Sequence, residues 1–166
     1  MRGRPLKLTA LVVGLVVLCV WGWRAWWPTD EQRIRRRLQA LAADFNESTT
    51  DGLGTVARAA KIGSYFTDDV VVELGEGAPP IQGRDTIIGM VGRLQPRTSA
   101  FRLELLDLSV DVTTPSTAEV NLTAAFRQRS LTTQQESTEA RELSVGMVKA
   151  DNEWRVSRIR TVEPFR

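Results

Sequence analysis

Histidine is absent, and cysteine and tyrosine occur once each, in this chain of 166 residues. The absence of histidine eliminates His-assisted serine or cysteine triads, imidazole general bases and ordinary zinc or non-haem iron sites. Its one cysteine, Cys19, falls in an apolar run, so the rest of the chain offers no disulfide, no CxxC pair and no thiol nucleophile. Among the 20 acidic and 22 basic side chains and the single tyrosine, the candidates singled out by position are Tyr65, the adjacent carboxylates Asp68 and Asp69, and the arginines Arg155, Arg158 and Arg160. Neighbouring carboxylates point in different directions, so Asp68 and Asp69 are expected to end a helix rather than form a dyad. Arg158 and Arg160 share strand parity with Trp154 and Val156 and could meet an anionic ligand. A slip between Val156 and Ile159 would turn both arginines outward, and that arrangement is preferred here. No metal and no cofactor is expected.

The elements that must position these residues are legible from hydrophobic period. A helix starts at Thr29, with Gln32 three residues on as a capping box, and Asp30 and Glu31 in the first turn, where the helix dipole favours acids. Ile34, Leu38, Leu41, Ala42 and Phe45 form its buried stripe, and Arg33, Arg35, Arg36 and Arg37 a solvated face. A second helix carries Val56, Ala59, Ala60, Ile62, Gly63 and Phe66 and is closed by the two aspartates. Val70 to Leu74 reads as a short strand, and Gly83-Arg84-Asp85 leads into a third helix that Pro96 stops.

From Ala100 onward the period is two. Phe101, Leu103 and Leu105 alternate, then Leu108, Val110 and Val112 on the opposite parity, which predicts a β-bulge near Leu105 and Leu106. Three further strands follow, through Ala118 to Phe126, Leu143 to Met147, and Trp154 onward. Arg127 and Arg129 are placed to pair with Glu139 and Glu142 across two of them.

The N-terminal end differs in kind. Leu8 to Trp23 holds no charge, follows Arg2, Arg4 and Lys7, and precedes Trp26 and Trp27. A helix rises ~1.5 Å per residue and a bilayer core of ~30 Å needs ~20 residues, so the run suffices when Arg24 snorkels to the headgroups. Arg4, Lys7, Trp21, Trp23, Arg24, Trp26 and Trp27 would then lie at the membrane interface. No small-x-small site follows for signal cleavage, and Leu18 precedes Cys19 where a lipoprotein signal needs a small residue. Residues 1–27 are therefore expected to be an uncleaved single-pass anchor, with one domain over residues 28–166. Arg24, Arg33, Arg35, Arg36 and Arg37 would by counting hold that domain in the cytoplasm. Long folded segments translocate largely regardless of charge, however, and an extracytoplasmic domain is favoured.

The first 27 residues hold four of the 22 basic and none of the 20 acidic side chains, leaving 18 against 20 and a net charge of −2 in the domain. Composition gives no case for nucleic-acid binding.

The order helix, helix, short strand, helix, then four long strands resembles the NTF2-like superfamily, in particular its SnoaL-like branch. The resemblance is carried by Tyr65-Phe66-Thr67-Asp68-Asp69-Val70, by Ile81-Gln82-Gly83-Arg84-Asp85-Thr86-Ile87 and by Asn152-Glu153-Trp154-Arg155-Val156, and it spans Asp30 to Val162. It implies an α+β cone, about three helices on a curved, mostly antiparallel sheet, often with an apolar cavity at its open end. Catalytic members of that superfamily place an Asp with a His, or an Asp with a Tyr as base and oxyanion donor, in the cavity. The first arrangement is excluded here, and Tyr65 is expected to pack rather than donate. An Asp, Arg and Asp set of the epoxide-hydrolase kind cannot be identified by spacing.

The inward-facing residues expected from this are Tyr65, Phe101, Leu103, Val120, Leu122, Leu143, Val145 and Trp154, a lining that reads as core before it reads as pocket. The expected function is a membrane-anchored, non-catalytic interaction or small-ligand-binding module. Its expected partners are the bilayer, a second copy through the sheet face, and a small apolar ligand. The alternatives are a SnoaL-like isomerase, dehydratase or hydrolase acting on a small apolar substrate, and a secretion-system assembly subunit.

Overall fold

The structure, a computed structural model, describes residues 28–47, 52–75, 77–93, 99–130 and 136–162. The expected anchor over residues 1–27, with Arg4, Lys7, Trp21, Trp23, Arg24, Trp26 and Trp27, lies outside the described residues. Among the described residues no helix is long and apolar enough to cross a membrane.

Helix α1, Asp30–Asn46, begins where extended Thr29 accepts a hydrogen bond from the Gln32 amide at 3.3 Å. Ile34, Leu38 and Ala42 are buried, with Leu41 and Phe45 packed beside them. Its arginine face is less free than expected. Arg35 donates to the Leu108 carbonyl at 2.5 Å as well as pairing with Glu31 at 3.1 Å. Arg37 reaches the Ser64 carbonyl and Glu153, both at 3.2 Å, and lies over the Tyr65 ring at 4.4 Å. Long side chains that leave the helix on one side can still curl back to neighbouring elements, which helical period alone does not reveal.

Helix α2, Gly52–Gly63, stops earlier than the sequence pattern implies. Gly63 is required there, because any Cβ would overlap the Ile88 side chain of helix α3, Arg84–Arg93. The chain then turns through Ser64 and Tyr65 into strand β1, Phe66–Glu73. Asp68 and Asp69 therefore sit in a strand and do not end a helix, a correction to the expectation above. Thr67, Val70, Val71 and Val72 around them favour the extended backbone, and the parallel partner strand supplies its ladder. Strand β2, Ile81–Gln82, is short, and Gly83 takes φ +85° to donate its amide to the Val70 carbonyl at 2.9 Å before α3 begins.

Strands β3, Ser99–Thr114, β4, Thr117–Ser130, β5, Glu136–Ala150, and β6, Glu153–Thr161, form the long antiparallel meander. The six-stranded sheet runs β2-β1-β6-β5-β4-β3 and is mixed, since β1 pairs with β6 in parallel. Three helices on this mostly antiparallel sheet are the expected α+β architecture.

The β3 register breaks between Leu106 and Ser109, with Asp107 at φ 50°, so the expected phase slip falls one to two residues later. A second break matters for chemistry. Met147 pairs with Val156 but Gly146 with Arg158, leaving Ser157 as the extra residue. This is the slip that turns Arg158 and Arg160 to the outer face, where both are exposed. The cross-strand charge pairs come out differently from expectation. Arg127 reaches Glu104 on β3 at 3.3 Å, and Glu139 pairs with Arg141 on its own strand.

Helix α1 is fastened to the sheet at both ends. At its start, Asp30 accepts from Lys149 Nζ at 3.0 Å and from Trp154 Nε1 at 3.2 Å. At its end, the Asn46 side chain accepts from the Leu103 amide at 2.7 Å and donates to the Leu103 carbonyl at 2.8 Å. Strand β3 is a sheet edge, and this double bond occupies backbone groups that would otherwise lack a partner.

The Lys149 hydrogen bond holds the Asp30 carboxyl below its usual range, against the opposing effect of burial and with help from Trp154. A carboxyl with a folded value below its unfolded ~3.9 stabilises the fold above that pH, and the contribution disappears as pH falls through the folded value. Urea midpoints should therefore hold from pH 7 to about 5 and decline below about 4. The decline should be shallower in Asp30→Asn. Identical pH profiles for the variant and the unaltered chain would contradict this role.

Candidate functional site

Between the helices and the inner face of the sheet lies a cavity of about 200 Å³. Helix α1 contributes Leu38, Leu41 and Phe45, α2 contributes Ile62, and α3 contributes Ile87 and Val91. The sheet supplies Phe66 from β1, Leu103 and Leu105 from β3, and Leu122, Ala124 and Phe126 from β4. Leu143 and Val145 of β5 with Val156 and Ile159 of β6 complete the wall. Each element delivers these residues by its own period: turns of three and four on α1, and alternate positions on β4 and β5.

Every lining residue is a hydrocarbon. Phe126, 39% exposed, marks the open end, on the side where Asn46 holds β3. At the other end Trp154 and Val120 are packed into solid core.

Of the residues expected to line a pocket, Leu103, Leu122, Leu143 and Val145 surround the cavity. Val120 and Trp154 belong to the filled core beside it, and Phe101 is 39% exposed on β3. Tyr65 is buried but does not line the cavity. Its ring packs under Arg37, and its hydroxyl donates to Asp44 Oδ2 at 2.6 Å rather than into the cavity.

Asp44 is the buried charged side chain that sequence reasoning missed. It sits one residue before Phe45 and accepts also from Lys61 Nζ at 2.7 Å. Desolvation, the largest influence on it, raises its carboxyl, but the hydrogen bonds from Lys61 and Tyr65, with the Lys61 and Arg37 charges, outweigh that and hold it below the usual range. Burial, then the same Asp44 hydrogen bond and charge, push the Tyr65 phenol up to about 12. The pair is thus an ionised carboxylate and a protonated phenol at neutral pH, each adjacent in sequence to a lining phenylalanine, Phe45 and Phe66, and neither lining the cavity itself. The available signal was an acid three residues beyond Leu41 on the edge of the buried stripe, together with a lone tyrosine needing an acceptor.

Among the described residues no group of three or more Asp, Glu or Cys side chains could hold a metal ion. A cavity wall without donors or acceptors can select by size and apolarity but cannot by itself move a proton.

Comparison with known proteins places this geometry. The model of a SnoaL-like domain matches residues 55–160. No curated protein matches the chain. Among solved structures, a candidate scytalone dehydratase from Novosphingobium aromaticivorans is similar at TM-score 0.64 and 14% identity, over 79% of this chain and 83% of that one. An NTF2-like protein with a cystatin-like fold from the same organism gives TM-score 0.63 at 15% identity, over 96% of this chain and 90% of that one. A ketosteroid isomerase-like protein from Erwinia carotovora atroseptica gives TM-score 0.57 at 17% identity, over 83% of this chain and all of the other. At such identities these likenesses establish a shared NTF2-like fold. With its family model matched over more than half of its length, the chain belongs to the SnoaL-like domain family.

Proposed function

We propose that the cone binds one small, neutral-bodied apolar molecule. The observation that carries this is the cavity itself: about 200 Å³, open at one end and lined by sixteen hydrocarbon side chains. An apolar cavity of roughly 150 Å³ holds benzene, so this one accommodates a single ring with a short chain and excludes a fused tetracycle.

A second reading is conversion of such a molecule by a SnoaL-like isomerase, dehydratase or hydrolase. The descriptions of the structural neighbours as a candidate dehydratase and an isomerase-like protein favour it over a purely non-catalytic module. The lining itself holds no acid–base group, so this reading would have to draw on Asp44 with Tyr65, whose neighbours in sequence, Phe45 and Phe66, line the cavity. A secretion-system role draws no support from any residue described.

The wider setting is also proposed. Residues 1–27 anchor the chain in a bilayer and hold the domain outside the cytoplasm, with Pro28 and Thr29 linking the anchor to α1. The cavity opens near the far end of α1, roughly 25 Å along the helix from that linker. Two copies pair through the outer face of the sheet. There Glu119, Gly146 and Arg158 lie in one cross-strand row, so a two-fold axis over Gly146 sets each Glu119 against the partner's arginine.

Calorimetric titration of the full chain with toluene should show saturable binding of one equivalent. Ala124→Leu, which fills the space, should abolish it without lowering the melting temperature. Retained binding in that variant would contradict the assignment. If cyclic enones or alcohols offered to the chain are converted, and Asp44→Asn stops the conversion, the enzyme reading holds; ligand recovered unchanged counts against it. The anchor predicts that the chain stays with vesicles through an alkaline wash, and release would refute it. Only monomer at tens of micromolar in sedimentation would count against pairing.

A further inference from the structure

The inner face of β5 does not end with the cavity wall. Side chains two apart share a face, so Glu139 and Arg141 continue the row of Leu143 and Val145 towards the open end, about 7 Å per step. The register confirms their place. Arg141 stands opposite Ala124 and Glu139 opposite Phe126, and both of those partners line the cavity. The Arg141 side chain is 49% exposed, as a residue at a rim would be. On β4, β5 and β6 the other ionisable side chain of this face is Lys149, at the closed end, where it is bound to Asp30. Among the described residues of these three strands, Arg141 is thus the cation at the open end of the inner face.

The hydrogen bonds of that cation leave it available. Its Nε, at 2.7 Å, and Nη2, at 2.5 Å, both donate to Glu139 Oε1. This uses one edge of a planar guanidinium with five N–H groups. The second edge, Nη1 with the other Nη2 hydrogen, has no partner among the described residues, and it is the geometry that takes a carboxylate through two parallel bonds. Glu139 holds the guanidinium in orientation and sets a threshold, because a weaker anion is repelled by it.

We propose that Arg141 receives the carboxylate of the ligand, so that the cone takes small amphipathic carboxylic acids: a single ring or short hydrocarbon inside, two or three carbons of chain, and the acid at the rim. This rests on the reading of the cone as a ligand site. It makes Arg141 a binding residue that sets specificity and orientation, with no part in a chemical step.

The test compares 3-phenylpropanoate with 3-phenylpropan-1-ol, near-isosteric probes, by calorimetry on the full chain at pH 7. The unaltered chain should bind the acid roughly five-fold or more tighter than the alcohol, with the preference shrinking in high salt. Arg141→Gln should remove the preference while alcohol binding stays within about two-fold, which also shows that the variant is folded. Glu139→Gln should increase the preference. A preference that survives Arg141→Gln overturns the assignment. Alcohol binding without any preference for the acid overturns it too and leaves the cone reading standing; binding of neither probe overturns both.

Discussion

The structure depends on how α1 is held across the cone. A helix of 17 residues lies over the sheet and is tied at its start to Lys149 and Trp154 and at its end to both backbone groups of Leu103. Arg35 adds a third bond to β3 through the Leu108 carbonyl. These ties are polar and directional, so they fix α1 without requiring hydrocarbon contact along its whole length. Leu38, Leu41 and Phe45 can therefore face open space between helix and sheet instead of collapsing onto it. Hydrophobic packing alone would favour closing that gap, since each buried methylene contributes ~0.8 kcal/mol.

The same division runs through the chemistry. Polar ties hold α1 at its two ends, while the cavity wall itself is hydrocarbon. Asp44 is stable as a buried anion because Lys61 and Tyr65 donate to it, a compensation that an isolated carboxylate would need and rarely finds. Its low carboxyl and the high Tyr65 phenol keep both groups in fixed protonation states near neutrality. A ground state so firmly held is suited to structure; an acid–base catalyst is usually poised nearer the working pH. The structural neighbours described as a candidate dehydratase and an isomerase-like protein share the fold with this chain.

Much of this was legible in the chain. The Thr29 cap, the Ile34 to Phe45 stripe and the parity change in β3 each follow from local chemistry and period, while the NTF2-like architecture was legible from the order of elements and the motifs at residues 65–70, 81–87 and 152–156. The slip that turns Arg158 and Arg160 outward was readable for the same reason. Less was available where tertiary contacts overrode local preference. Asp68 and Asp69 look like a helix stop, yet the parallel pairing with β6 draws them into a strand. Asp44 escaped notice because its partners are 17 and 21 residues away, a separation no periodic pattern encodes. Which apolar residues line space and which fill core was likewise invisible. Val120 and Leu122 are neighbours in one alternating row, and only the position of α1 above them separates core from cavity.

The central claim is that a hydrocarbon space exists within the cone and accepts a small apolar molecule. Methyl-detected NMR of the chain, labelled at Ile, Leu and Val and titrated with toluene, tests it directly. The account predicts saturable shifts at Leu103, Leu143, Val145 and Ile159, with Ile34 and Val120 unmoved. Absent shifts, or shifts as large at Val120 as at Leu143, would contradict it.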